Sequence, residues 1–211
     1  MKRDVAFKVA EALVDHLRPA CKRIEIAGSI RREKSDVKDI EILAIPDLSI
    51  IVPRAPLEFG KPIPPVHKTM LDKLVHDMEE AGDVRVEVQG DRYKRMYLNY
   101  AGIKCDLFLN IPPSQWGVQM VIRTGPSEFS HWCVTNRKRY RGALPDGYFV
   151  KHLVVWDANE LDKFRMPSDP DKAIALLTET NHLSMPEEID FLNFLKLGWI
   201  EPRDRIARWN T

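Results

Sequence analysis

The stretch GSIRREKSDVKDIEILAI, residues 28–45, decides the fold, and its second half is the more telling. The run from Asp39 to Ile45, DIEILAI, predicts a strand, polar and apolar side chains alternating through Ile42. Residues two apart on a strand point the same way, so Asp39 and Glu41 share one face while Ile40 and Ile42 share the other. Just ahead, Ile24 and Ile26 alternate with Arg23 and Glu25 as a second strand. That alternation breaks at Gly28, where the backbone turns without a Cβ penalty. A strand–turn–strand frame therefore carries Gly28-Ser29 and the basic pair Arg31-Arg32 at its turn, with two carboxylates on one sheet face.

An isolated Asp-x-Glu on a strand is ordinarily a solvated face, and a lone Gly-Ser pair says little. Their combination narrows the chemistry. Two carboxylates on one strand, joined by a third from another strand, supply the hard oxygen ligands that hold two Mg²⁺ ions for phosphoryl or nucleotidyl transfer. A serine hydroxyl and backbone N–H groups after a glycine meet triphosphate oxygens, and arginines add charge-assisted hydrogen bonds.

Outward from this stretch, Val5, Val9, Leu13 and Leu17, with Ala6 and Ala10, predict an amphipathic helix stopped by Pro19. Six prolines between Pro46 and Pro65 predict an irregular surface loop. Leu71, Leu74, Val75 and Met78 form a helical stripe ending at Ala81-Gly82, and Val84, Val86 and Val88 then alternate as a strand. Arg95–Tyr100 and Ile103–Leu109 read as a hairpin across Ala101-Gly102, with Lys104, Asp106 and Phe108 on one face. Asp106 is thus a third strand carboxylate. After Pro112-Pro113 a helix runs through Gln119 to Arg123, breaks at Thr124-Gly125-Pro126, and a second helix with Ser127 as N-cap carries Phe129 and Trp132. Tyr148–Val150 and Leu153–Trp156 are short β runs. Asp169-Pro170 and Ser184-Met185-Pro186-Glu187 look like helix starts, the latter a capping box, and Gly198 ends the last helix.

Composition bounds the rest. The chain has 211 residues, 44% of them hydrophobic, which excludes a disordered or collagenous protein and allows one large or two small domains. With 32 basic and 31 acidic residues the net charge is +1, so any nucleic-acid surface must be local. Cys21, Cys105 and Cys133 show no metal or redox spacing and read as reduced thiols. No signal-peptide run is present, and no apolar run approaches the roughly 18–20 residues that span a bilayer, so the expectation is a soluble, intracellular protein with no membrane partner.

These residues together resemble the nucleotidyltransferase superfamily, and within it the family X DNA polymerases, the DNA polymerase beta-like branch with bacterial and viral members. GSIRREKSDVKDIEILA is similar to that family's Gly-Ser, Arg-Arg and Asp-x-Asp signature, with eleven positions from Gly28 to Asp39. QGDRYKRMYLNYAGIKCDLFLN resembles the family's palm hairpin, TGPSEF the segment that opens the nucleotide-binding helix of the thumb, and LGWIEPRDR the family's chain terminus. The resemblance implies an α+β fold: a palm with a mixed β-sheet and flanking helices over residues 1–112, then a smaller α+β thumb over 113–211. It implies DNA synthesis on a primer 3′-hydroxyl from a dNTP, on primer-template or gapped DNA, in repair or short-gap filling. Asp39, Glu41 and Asp106 would bind two Mg²⁺ ions, or Mn²⁺ in their place. Gly28, Ser29, Arg31, Arg32, Thr124 and Gly125 would bind the nucleotide. Lys104 would lie near the primer terminus.

The chain departs from the family's pattern. Glu41 stands where Asp is usual, Ile122-Arg123 replace an aromatic pair, and Pro126 replaces a serine whose preceding bond is cis in the family, so the resemblance implies a cis Gly125–Pro126 bond, which proline makes cheaper. No stretch resembles the lyase or helix-hairpin-helix domains, so a minimal palm-and-thumb form, as among viral members, is implied, without removal of a 5′-deoxyribose phosphate. Template grip is then expected from Arg137, Lys138, Arg139 and Arg141 around Tyr140, and less from Arg92-Tyr93-Lys94-Arg95 with Tyr97. The histidines and the five tryptophans read as structural or partner surface rather than ligands or stacking platforms. Two rival readings follow from the same residues: nucleotidyl transfer to a non-DNA acceptor, and an inactive palm that binds nucleic acid or protein.

Overall fold

The computed structural model describes residues 1–49, 69–110, 116–158 and 183–209. Residues 50–65 of the proline-rich loop, Pro112-Pro113, the expected helix start at Asp169-Pro170 and His182 lie outside them. The fold is α+β and divides into two compact units, one of residues 1–26 and 35–109, the other of 27–34 and 110–211.

The first unit is a five-stranded mixed sheet flanked by two helices. Its strands are β1 (Cys21–Ile26), β2 (Asp39–Pro46), β3 (Val84–Gln89), β4 (Tyr93–Leu98) and β5 (Ile103–Leu109), in the order β1-β2-β5-β4-β3. β2 and β5 pair in parallel at the centre, and the other pairs are antiparallel. Paired positions share a face, so Ile24, Ile42, Ala44, Leu107 and Met96 line one side and are buried.

Two helices, α1 (Arg3–Leu17) and α3 (Met70–Glu80), lie against the sheet. α1 buries Ala6, Ala10, Leu13, Val14 and Leu17, whereas Val5 is exposed. A strict four-residue spacing advances the stripe about 40° per step, so Val5 falls off the buried face while the expected Ala6, Ala10, Leu13 and Leu17 hold it. α3 begins with a reciprocal capping box between Thr69 and Asp72, and Gly82 takes a positive φ just past its end. Lys94 faces the helix side of the sheet, 1% exposed, its ammonium 2.6 Å from Asp72 and 3.1 Å from the Gly90 carbonyl. This buried pair ties α3 to β4.

The second unit contains α2 (Gly28–Arg31), α4 (Trp116–Thr124), α5 (Ser127–Cys133), α6 (Arg137–Tyr140), the antiparallel pair β6 (Tyr148–Lys151) and β7 (Val154–Asp157), and α7 (Glu188–Phe194). Val118, Val121, Phe129, Trp132, Phe191 and Leu192 centre its core. The expected turn at 28–31 is a helical turn, and residues 27–34 group here rather than with the first sheet because α2 packs on α4.

Three expected helix ends move. Ser127 is the first residue of α5 and makes no capping bond; Pro126 holds the cap position. The box before the last helix is Glu187 with Asp190, not Ser184 with Glu187. α7 ends at Phe194, with Lys196 taking a left-handed φ before Gly198 does. At the last helix, acceptor geometry three residues on, which composition alone does not specify, selected Glu187 over Ser184 as the cap. The Gly125–Pro126 bond is cis, as expected. Cys21, Cys105 and Cys133 are free thiols, and burial pushes Cys133 up to about 12. Among the described residues no helix is long and apolar enough to cross a membrane.

Candidate active site

Cross-strand register assembles a charged row on the other face of the first sheet. Glu41 of β2 pairs with Asp106 of β5, and Asp106 pairs in turn with Arg95 of β4. Asp39 pairs with Lys104, and Lys104 with Tyr97, in the next row. Neighbouring strands lie about 4.8 Å apart, so two carboxylates directly opposite one another repel unless a cation sits with them.

One such cation is a protein side chain. Arg95 forks onto Asp106, its Nε donating to Oδ1 at 2.7 Å and its Nη2 to Oδ2 at 3.1 Å. The Tyr93 hydroxyl donates to the same Oδ1 at 2.7 Å. Bidentate geometry makes this a strong, oriented contact, and the Asp106 carboxylate beside it holds the Arg95 guanidinium more firmly protonated than usual. Tyr93 stacks on Phe108 with ring centroids 5.2 Å apart, which fixes its hydroxyl. In the outer row Lys104 bonds Glu87 at 2.9 Å, and Glu87 also receives Arg85 at 3.2 Å, so both cations hold Glu87 below its ordinary range.

Asp39, Glu41 and Asp106 thus share a face and adjoining register positions, and all three offer hard oxygen donors suited to Mg²⁺. Among the described residues no three acidic, histidine or cysteine side chains gather closely enough to hold a metal ion. The backbone fits the group. What departs from it is the Asp106 carboxylate, which is turned onto Arg95.

The expected nucleotide-binding residues fall in the second unit. Gly28 opens α2 with φ +65°, and the Ser29 hydroxyl is buried without a hydrogen-bond partner among the described residues. Arg31 bonds the buried Glu188 twice, at 2.8 and 2.6 Å, and donates to the Thr124 hydroxyl at 2.9 Å. Arg205, almost fully buried, lies 2.8 Å from Glu188 on its other side. Burial would raise the Glu188 carboxyl, but hydrogen bonds from Arg31 and Arg205 outweigh it and hold it below its ordinary range. Arg32 donates to the Thr124 carbonyl, and its guanidinium lies beside Gly125. Arg31, Arg32 and Thr124 are therefore knit into the packing of the second unit.

Of the expected DNA-binding residues, Lys104 faces the outer row described above. Arg137, Lys138, Arg139 and Arg141 are exposed on and just after α6. In the lesser cluster, Lys94 is buried behind the sheet and Arg95 is committed to Asp106.

Sequence reading missed Arg95 and Tyr93 as partners of Asp106, and Glu188 and Arg205 as partners of Arg31. Period-two spacing does put Tyr93, Arg95 and Tyr97 on one face of β4, so a signal for the first pair existed; only register joins that face to Asp106. Nothing local marks Glu188, which is 157 positions from Arg31. No protein-family model matches the chain, and no curated protein does.

Proposed function

We propose that the chain transfers a nucleotide from a deoxynucleoside triphosphate to a DNA 3′-hydroxyl with release of pyrophosphate, in the manner of the family X DNA polymerases, in short-gap filling or repair. The observation that carries this reading is the registered pair Glu41 and Asp106 on adjacent parallel strands, with Asp39 one row away on the same face. Like charges so placed are costly unless they serve to collect a cation.

Asp39, Glu41 and Asp106 are the ligands for Mg²⁺, or Mn²⁺, which when bound supplies the positive charge that favours a 3′-alkoxide and a pyrophosphate leaving group. Asp106 accepts from Arg95 and Tyr93, so those two donors position it until a cation takes their place. The Ser29 hydroxyl, buried and without a hydrogen-bond partner among the described residues, is the donor kept for a triphosphate oxygen. Arg137, Lys138, Arg139 and Arg141 serve the DNA backbone, and their exposure suits salt-sensitive contacts.

The test is extension of labelled single-stranded, recessed and one-nucleotide-gapped primers with Mg²⁺ and each dNTP in turn, beside Asp106→Ala. Templated addition at the gap, lost in the variant, is the expected result. Extension by the variant, or by neither protein, overturns the reading.

A second reading has its own observation: Arg95 and Tyr93 already satisfy Asp106, as they would in a non-catalytic sheet that binds nucleic acid or a partner. Mg²⁺-dependent dNTP binding, present under the first reading and absent under the second, separates the two.

A further inference from the structure

Two neighbouring cavities in the second unit have complementary chemistry. One, of about 480 Å³, is walled chiefly by rings: His131, Tyr140, Tyr148, Phe149 and Trp209. The other, of about 290 Å³, is lined by Arg137, Arg141 and Arg208 against Trp132. They share a wall, because three consecutive pairs are split between them. Asn136, Tyr140 and Trp209 line the aromatic cavity, and their chain neighbours Arg137, Arg141 and Arg208 line the basic one. Consecutive Cα atoms are about 3.8 Å apart, so the cavities lie within one residue's reach of each other.

The loop that forms this wall is tightly built. The Asn136 side chain caps α6 by accepting from the Arg139 N–H at 3.0 Å. Arg141 closes the turn in a left-handed conformation, and its carbonyl accepts from the Trp132 indole at 3.1 Å. A Cβ on Gly142 would meet the Thr135 carbonyl oxygen at 1.9 Å, so only glycine fits there. Arg137 is fixed through one nitrogen, Nη2, to the Ala143 and Leu195 carbonyls at 2.8 and 3.1 Å, which orients its planar fork without neutralising it. Arg139 lies 5.1 Å over the ring of Tyr140, a cation beside the aromatic cavity.

We infer that this face is a subsite for single-stranded nucleic acid, with an unpaired base stacked in the aromatic cavity and its flanking phosphates on the arginines. Flat rings beside ordered guanidinium groups complement a base attached to a phosphodiester, and the aromatic cavity falls within the roughly 300–1,000 Å³ typical of ligand sites. Trp209 and Tyr140 thereby become stacking residues, beyond the charge contact expected of the cluster. The preference for nucleic acid over an acidic peptide rests on the proposed nucleotidyl transfer.

The test is fluorescence anisotropy of a labelled ten-residue oligo-dT strand and of an equally long abasic strand, in EDTA so that no metal-dependent step contributes. Tyr140 is 56% exposed, so Tyr140→Ala spares the core, and Trp209→Ala is the second variant. Stacking is worth about 1–3 kcal/mol per base, so Tyr140→Ala should weaken oligo-dT binding by about 5- to 150-fold and leave abasic binding unchanged. Arg141→Gln should weaken both strands and lower the salt slope by about 0.7. Equal affinity for both strands, or no effect of Tyr140→Ala, overturns the subsite. Displacement of oligo-dT by poly-glutamate at equal charge, with the same variant losses, would make it an acidic-peptide surface instead. Oligo-dT binding is read in EDTA without dNTP, so a failure of primer extension in the parent would remove the polymerase reading and leave the subsite standing.

Discussion

The two ionic clusters of the molecule use the same residue types to opposite ends. In the second unit a single carboxylate, Glu188, is enclosed by two arginines, and both it and Arg205 are almost wholly out of solvent. On the sheet of the first unit three carboxylates, Asp39, Glu41 and Asp106, share a face, and Arg95 and the Tyr93 hydroxyl donate to Asp106. A cluster whose positive charge exceeds its negative charge in a dry interior has no room for an added cation and acts as a fastener. One in which carboxylates face each other across a ladder holds a deficit that an added cation relieves. Burial and the ratio of partners, rather than residue identity, separate the structural cluster from the candidate site.

The largest effect that sharpens this contrast is in activity. Asp106→Ala should lower primer extension by about a thousandfold or more, while its chemical denaturation midpoint stays near the parent's. Glu188→Gln should do the reverse, destabilising by about 3 kcal/mol because Arg31 and Arg205 lose their buried counter-charge; urea unfolding followed by tryptophan fluorescence reads this. Similar losses of activity and of stability in both variants would dissolve the distinction.

A pH effect follows from Glu188. Its folded pKa is depressed, so its contribution to stability is complete above the unfolded value, about 4.3, and is lost as pH falls through the lower folded value. Acid titration below pH about 4 should therefore unfold the parent more steeply than Glu188→Gln; parallel curves would remove Glu188 as the cause. The smallest effect is on metal affinity. Arg95→Ala leaves Asp106 without its forked partner, so Mn²⁺ should bind the variant several-fold more tightly, as counted by electron paramagnetic resonance of free Mn²⁺. Unchanged or weaker binding would mean that Arg95 does not compete for the carboxylate.

Legibility in the sequence followed the range of the interaction. Asp39 and Glu41 were readable as a shared face because the strand period is two and needs no partner. The hairpin that carries Asp106 was readable from Ala101-Gly102 between two β runs, although β4 begins at Tyr93 and ends at Leu98, short of Tyr100. On α1 the legible Ala6, Ala10, Leu13 and Leu17 are buried and Val5 is not, since a four-residue spacing and a helical face diverge within three turns. Lys94 looked like part of an exposed basic run. Its position on the odd side of β4 from Arg95 sends it behind the sheet to Asp72, a consequence of alternation within that very run.

By itself, then, the sequence determined the local periods of the helices and strands and which side chains share a face within one strand. Local steric and hydrogen-bonding preferences act over a few residues and are written in those residues. Only the tertiary structure decided that β2 lies parallel to β5 with Glu41 opposite Asp106, that Arg95 rather than Lys104 holds that carboxylate, and that Arg31 belongs to Glu188. Each of those depends on the register or docking of segments far apart in the chain, where a one-residue slip would send every side chain of a strand to the opposite face.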